Sequence, residues 1–413
     1  MNYKKDFPIF KNNPNLIFLD SAASSQKPLK VLEDVKYFCE NNYANVHRGA
    51  YSLSLQSTES IETARTDIAK FFGTQAKNLV FTKNATESSN IFISGIVQHI
   101  QSEHIEILMP VSEHHSSLLP ALAHTKNPQN LSKITVKYIY PNASGIFTED
   151  DFEKNITKNT QLIICAHISN VTGQIFDIKK ISNIIKNKQN IYKNNIYFAV
   201  DASQSAPHVQ INFDALSKIS CDAMFITGHK IGAGGIGALL LSDTMSRILP
   251  QYSVGGGIVK DVHEQEYSLL ESPTRFEAGT PSIENIVGFQ SAIKYLENIT
   301  FKKIQHHEEK LMKYALEQFA KKIPHFIIIG DKNITKNRSS LISFYHKNIH
   351  HSDIAILLAE KNIAVRAGMH CANPLHHYLH SKGTVRASFW IYNDISDIDA
   401  LISGLQEIEQ MFQ

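Results

Sequence analysis

Between residues 78 and 241 the chain alternates short apolar runs with helix-forming stretches, and this alternation restricts the fold more than any other feature. The runs fall at 78–82, 105–109, 134–140, 161–166, 196–200, 222–226 and 238–241. They are near-continuously apolar, as strands buried on both faces must be. Helical patterns over 86–100, 116–124 and 178–188 separate them. The pattern predicts an α/β unit around a mostly parallel, seven-stranded sheet. From about residue 282 the texture changes. Helices over 282–298, 301–322, 352–361 and 395–412 mix with strands over 325–329, 340–345 and 384–389. The expected division is an N-terminal arm over 1–17, a large domain over 18–281 and a small α+β domain over 282–413. At 413 residues the chain can bury a large core without disulfides or structural metals.

The formal net charge of +2 argues against a nucleic-acid binder, which carries a basic excess or basic runs. No apolar run approaches the roughly 18 residues of a membrane span. The N-terminal residues MNYKKDFPIFKNNPN have no apolar core of a secretory signal. Cys39, Cys165, Cys221 and Cys371 are scattered and form no CxxC pair. A reduced, cytoplasmic protein is expected.

Open parallel sheets bind ligands at the carboxyl ends of their strands, so the residues that follow each run matter most. After the first run come Asn84, Ala85 and Thr86. Small and hydroxyl residues that open a helix present free N–H groups to a phosphate, although a plain helix cap reads the same way. After the second come Glu113, His114 and His115. A histidine here faces a ligand ring or simply starts a surface helix, and the EHH string lacks metal-ligand spacing. After the fourth comes Asn170 within HISNVTG, a sequence that also suits a plain turn. After the fifth come Asp201 and Gln204. A carboxylate at a buried strand end needs a positive partner, such as a protonated ring nitrogen, unless it caps a helix.

After the sixth come Thr227, Gly228, His229 and Lys230, then a glycine-rich turn. Burial lowers a lysine's pKa, which suits a Schiff-base amine; a surface lysine in a flexible turn is the plainer alternative. The glycines precede a strand rather than open a helix, so they do not form a dinucleotide fingerprint. Taken together, the strand ends carry the groups that a pyridoxal phosphate enzyme supplies to its cofactor.

In the second domain Cys371 falls in an expected loop, beside His370 and five residues after Arg366. Positive neighbours favour the thiolate, the nucleophilic form. The other cysteines read as structural. Arg386 offers a fork for a carboxylate or makes a salt bridge at the rim. The pairs His306-His307 and His350-His351, and the group His376, His377 and His380, read as solvated surface. No metal site is expected.

These residues lie within longer strings: Leu19-Asp20-Ser21-Ala22-Ala23-Ser24, Val46-His47-Arg48-Gly49, FTKNATES, SEHHSS, HISNVTG, VDASQSAPH, TGHK, RFEAGTP, VRAGMHCANPL and VRASFWIYN. In their order and spacing the chain resembles, nearly end to end, the fold-type I pyridoxal-phosphate cysteine desulfurases. RAGMHCA marks the group II, SUF-type branch, which includes selenocysteine lyases. The resemblance implies a large domain with a mostly parallel seven-stranded sheet and a smaller α+β domain that carries the cysteine loop. It implies that Lys230 carries pyridoxal 5'-phosphate, that His114 stacks on its ring, that Asp201 pairs with the ring nitrogen and that Gln204 lies beside the ring hydroxyl. Ala85, Thr86, Thr227 and His229 would bind the phosphate, with Thr280 supplied by a neighbouring subunit. Asn170 and Arg386 would hold the substrate carboxylate, Arg366 would shape the cysteine loop, and Cys371 would attack the substrate sulfur. His47 and Arg48 match a segment near the dimer interface.

Two departures stand out. The turn HKIGAGGIG is one residue shorter than the family pattern and lacks its Tyr and Pro, and Tyr51 stands where a histidine is usual. The implied activity is conversion of L-cysteine to L-alanine by a homodimer. The sulfur would pass as a Cys371 persulfide to a SUF-type acceptor for iron–sulfur cluster assembly. Alternatives are a selenocysteine lyase, a cysteine sulfinate desulfinase or a non-enzymatic assembly scaffold. A nicotinamide dehydrogenase fails for want of an early GxGxxG.

Overall fold

Seven strands form the central sheet of the computed structural model, which describes residues 3–333 and 337–412. They are β1 (Leu79–Thr82), β2 (His104–Pro110), β3 (Lys133–Ile139), β4 (Thr160–Ala166), β5 (Tyr197–Asp201), β6 (Ala223–Thr227) and β7 (Gly237–Leu241). Their order is β1-β7-β6-β5-β4-β2-β3. Strand β7 is antiparallel to both β6 and β1, and every other neighbouring pair is parallel. The reversal follows from chain length. Only residues 228–236 connect β6 to β7, and a parallel return needs a crossover of about a dozen residues or more. Because β7 is reversed against both neighbours, β1 points the same way as β2 to β6. Six carboxyl ends therefore share one edge. The fold is α/β with a mixed, mostly parallel sheet, as the apolar runs predict.

Period-2 alternation sorts the strand residues between two cores. Ile163, Cys165, Phe198, Val200, Met224 and Ile226 face one layer, and Leu162, Ile164, Ala199, Phe225 and Leu239 face the other. The first layer contains α1 (Leu29–Asn41), α2 (Ser52–Phe71), α5 (Ile178–Tyr192) and α6 (Ile283–Ile299), and the second contains α3 (Ala85–His99) and α4 (His115–Lys126). Helix α2 was not among the elements read from the sequence. Its buried stripe runs Ser54, Ser57, Ile61, Ala64, Ile68. The helical spacing is regular, but two serines hide it from a search for apolar residues. Arg65 of α2 is buried and forms a fork to Glu277 at 2.6 and 2.9 Å. It also donates to Leu79 O and lies 4.5 Å over the Phe81 ring, while Glu277 accepts the Phe81 N–H at 2.7 Å.

A second sheet holds β8 (Phe326–Ile329), β9 (Leu341–His346), β10 (Arg366–Gly368) and β11 (Thr384–Ser388), antiparallel in the order β8-β9-β11-β10. It packs with α7 (Phe301–Lys322), α8 (His351–Glu360) and α9 (Ile395–Met411). The N-terminal residues are built into this part. Ile17–Phe18 pair in parallel with Ile363–Ala364, and Ser388 N–H donates to Leu19 O at 2.8 Å. Phe7 is fully buried against Trp390 and Tyr392. An exposed hairpin, Val259–Val262 with Tyr267–Leu269, was not anticipated. Among the described residues no helix is long and apolar enough to cross a membrane.

Candidate active site

The shared edge of the sheet opens into a cavity of about 400 Å³. Ala85, Thr86, His114, Asn170, Asp201, Gln204, Thr227, His229, Lys230, Arg366, Cys371 and Arg386 all line it. Thr280 does not. It lies exposed after Gly279, outside this wall.

At one end β1 hands over to α3. Asn84 Oδ1 caps the helix by accepting the Glu87 N–H at 3.0 Å, and the first turn keeps unpaired N–H groups at Ala85 and Thr86. The start of β7 runs directly beneath. A Cβ on Gly237 would stand 2.6 Å from the Asn84 carbonyl carbon, so the last glycine of HKIGAGGIG lets strand and helix start share one place. The orphan donors and the positive helix end suit a phosphate.

Lys230 ends a single 3₁₀ turn, Gly228–Lys230, at the end of β6. Backbone bonds from Gly228 N to Ile236 O (2.7 Å) and from Ser25 N to His229 O (3.0 Å) hold the turn on two sides. Burial pushes the Lys230 amine down to about 8, with Asp201 opposing the shift. Asp201, 6% exposed at the end of β5, accepts the Ser203 N–H at 2.9 Å and the Ser116 hydroxyl at 3.4 Å. His229 Nδ1 lies 2.7 Å from Thr227 Oγ1, and burial holds the ring neutral at about 4. His114 is likewise pushed to about 4, by burial first and by the Lys230 charge second. Gln204 Nε2 is spent on Ala22 O at 2.8 Å.

The opposite wall comes from the second sheet. Residues 363–372 were read as a loop, but Arg366 lies on β10, directly across from Arg386 on β11. Like charges so placed repel, and Asp20 offsets them. It takes Arg366 Nη2 at 2.9 Å and Nε at 3.2 Å, and Arg386 Nη2 lies 3.6 Å away. Two guanidiniums share one carboxylate, so one positive charge is left for an anion. Arg386 is 2% exposed, donates to Asn170 O at 2.9 Å and keeps an unpartnered Nε. It is therefore a buried wall residue and not a rim salt bridge. Burial lowers it to about 10, still charged at neutral pH.

Cys371 is exposed at the mouth in a tight turn. His370 and Cys371 both adopt left-handed backbone, with φ of 49° and 56°. The turn is held through carbonyls: Asn170 Nδ2 donates to His370 O at 2.7 Å and His115 N to Cys371 O at 2.9 Å. The expectation that His370 lends positive charge to the thiol is overturned. Its ring donates to or accepts from Thr384 Oγ1 at 2.8 Å, and burial drives its pKa to about 2. The positive groups that interact with Cys371 are Lys230 and Arg386, while Arg366 is paired with Asp20.

Three further readings change. His376 is fully buried rather than solvated, because its short helix Asn373–Tyr378 turns that face inward. Cys39 is as exposed as Cys371, so exposure alone does not single out Cys371; its place on the Lys230 cavity does. Asp20, Ser116 and Ser203 were given no part by the sequence reading, nor was Glu113. Glu113 lies wholly buried next to His114 and accepts Ala166 N–H at 2.8 Å, and burial raises its carboxyl well above the usual range.

Unpartnered buried atoms on this wall, Ser203 Oγ and Arg386 Nε, together with the open helix start and the carboxylate of Asp201, fit a planar, phosphorylated, nitrogen-containing ring. An α/β sheet with a half-buried lysine at one strand end and a carboxylate at the next defines a class of lysine-centred cofactor enzymes. Over residues 17–401 the chain matches the class-V aminotransferase family, and it belongs to that family. A probable cysteine desulfurase of Borreliella burgdorferi is 36% identical, the match covering 98% of this chain and 95% of that protein. The apo structure of a cysteine desulfurase from Thermococcus onnurineus superposes with a TM-score of 0.90 at 32% identity, covering 99% of this chain and 97% of the other. The cysteine desulfurase CsdA of Escherichia coli, in an S-sulfonic acid form, gives a TM-score of 0.88 at 28% identity, covering 100% and 98%.

Proposed function

We propose that the chain is a pyridoxal-phosphate-dependent cysteine desulfurase, a cytoplasmic homodimer that passes sulfur to a SUF-type acceptor for iron–sulfur cluster assembly. The observation that carries this reading is one cavity with Lys230 at its floor, Cys371 at its mouth and, between them, a wall where Arg366 and Arg386 share Asp20 and leave one net positive charge. Its four unbridged cysteines suit a reducing compartment. Residues 18–281 would supply the cofactor groups and residues 282–413 the cysteine turn.

Lys230 would hold the cofactor, and its Nζ, of lowered basicity, would take the Cα proton of the substrate. Asp201 would keep a proton at the cofactor's ring nitrogen, and His114 would pack on the ring. Thr86, Thr227 and His229 would bind the phosphate at the helix start that Ala85 opens, and Thr280 would reach it from a second copy of the chain. Gln204 stands beside the ring hydroxyl. Arg386 and Asn170 orient the substrate carboxylate, with Arg366 balancing Asp20. The bound cofactor supplies an electron sink for the substrate's α-carbon.

The Cys371 thiolate attacks the sulfur of L-cysteine. An S–S bond forms, the C–S bond breaks, and its electron pair stays with the carbon fragment. Proton uptake then yields L-alanine and leaves a persulfide on Cys371. A turn at the mouth lets that sulfur meet an acceptor at the surface. The deciding experiment incubates Cys371→Ala protein with L-cysteine and measures alanine and protein-bound persulfide. Both should be lost while the cofactor remains bound. Undiminished alanine, or a persulfide on Cys39, Cys165 or Cys221, would refute the assignment.

A further inference from the structure

Ser116, the second residue of α4, is buried on the cavity wall between two groups of the proposed chemistry. Its Oγ lies 2.8 Å from His114 Nδ1 and 3.4 Å from Asp201 Oδ2. Its backbone N–H donates to the same Nδ1 at 3.0 Å. A backbone N–H can only donate, so in the neutral ring Nδ1 is an acceptor and the hydrogen sits on Nε2. A hydroxyl, in contrast, both donates and accepts, and its hydrogen rotates. With the ring neutral, that hydrogen is shared between Nδ1 and Oδ2. When the ring gains a proton, Nδ1 becomes a donor. Oγ is then the acceptor within reach, and the hydroxyl hydrogen turns to Asp201.

We propose that Ser116 is a positioning residue that couples His114 to Asp201. It fixes the ring's tautomer and plane, and it transmits the Asp201 charge to the ring when the ring becomes an imidazolium. The groups facing His114 divide accordingly. Lys230, His115 and Arg386 oppose a charge on the ring, and Asp201 favours it. Burial pushes the Glu113 carboxyl, one residue before, toward its neutral form, which weakens it as an anion beside the ring. The inference deepens the reading of this cavity and rests on it only in giving His114 a place in proton traffic.

The test uses full-length protein with its cofactor, labelled with ¹⁵N-histidine, the His114 signal being assigned by its loss in His114→Gln. In the unsubstituted protein at neutral pH the ring should be the Nε2–H tautomer, with an Nδ1 resonance displaced by hydrogen bonding. Ser116→Ala should move Nδ1 toward the position of a free ring nitrogen. It should also lower the ring's proton affinity about tenfold, one pH unit. Ser116→Thr, which keeps the hydroxyl, should restore both. The backbone N–H survives in all three, so the start of α4 and the melting temperature should not change. An Nδ1–H tautomer, an unmoved Nδ1 resonance in Ser116→Ala, or a Thr variant that behaves like Ala would overturn the proposal. The resonance does not depend on sulfur transfer, so absence of persulfide on Cys371 would sink the desulfurase reading and leave this measurement standing.

Discussion

The turn that ends in Lys230 and the turn that carries Cys371 face each other across one cavity and are built on opposite principles. The first is a strand end tied by backbone bonds to Ile236 and Ser25, with its charge pressed down by burial. The second is exposed, holds two consecutive side chains in left-handed backbone, and is fixed mainly through its carbonyls. Left-handed backbone costs a non-glycine residue roughly 1–2 kcal/mol. That cost is tolerated at functional sites where surrounding contacts determine the conformation. On the proposed reading, the group that would hold a cofactor is built into the sheet, and the group that would deliver sulfur is set on an exposed, strained turn.

Four substitutions test this contrast. The largest effect belongs to Lys230→Ala, which should cut cysteine turnover by roughly 10²–10⁴-fold or more and abolish the borohydride-fixed cofactor adduct. Peptide mapping that finds the adduct on another lysine would break the comparison at its root.

Next comes the pH dependence of Lys230. Its amine lies at about 8 in the folded chain and near 10.4 unfolded. The unfolded state binds more protons between those values, so stability rises with pH through that window, and the penalty is complete below about 8. In cofactor-free protein, Lys230→Met should therefore be more stable by about 2 kcal/mol at pH 7, discounting for water in the open cavity. The advantage should vanish toward pH 10.5. Denaturant melts at both pH values decide it, and a gain that grows with pH would contradict the buried-amine account.

Asn170→Ala removes the donor to His370 O and leaves a buried carbonyl unpaired, a cost of about 1–3 kcal/mol. Hydrogen exchange should quicken over 369–373 and stay slow over 228–236. Equal quickening in both turns would mean that they are not independent. The smallest effect is that of Cys371→Gly, which relieves one left-handed residue. It should raise stability by about 0.5–1 kcal/mol in thermal melts while eliminating persulfide formation. A clear loss of stability would show that the Cys371 conformation is not strained.

The strand ends could be read from the sequence because each apolar run stops where the sheet stops, and the residue after it must face the cavity. The reversal of β7 was not read, although the short connection that forces it stands in the sequence. Asp20 was not, since it meets Arg366 across 346 residues of chain. Ser116 was missed because its part depends on two atoms brought together by different strands. His370 looked like a charged neighbour of Cys371 only while its burial was unknown. His376, next to His377 and near His380, reads as polar surface until the direction of its helix face is seen.

The Arg65–Glu277 fork has a bearing on how sequences of this kind can change. Glu277 answers at once to Arg65, to the Phe81 N–H shortly before the start of α3, and to the segment that ends in Thr280. Losing Arg65 strands the Glu277 carboxylate, at about 3–5 kcal/mol, whereas losing Glu277 leaves Arg65 only the exposed Glu62 at 3.2 Å and orphans the Phe81 N–H. The two positions, 212 residues apart, are thus bound by epistasis. A lineage can keep the pair or exchange it whole, but the single-step intermediates lie in a fitness valley.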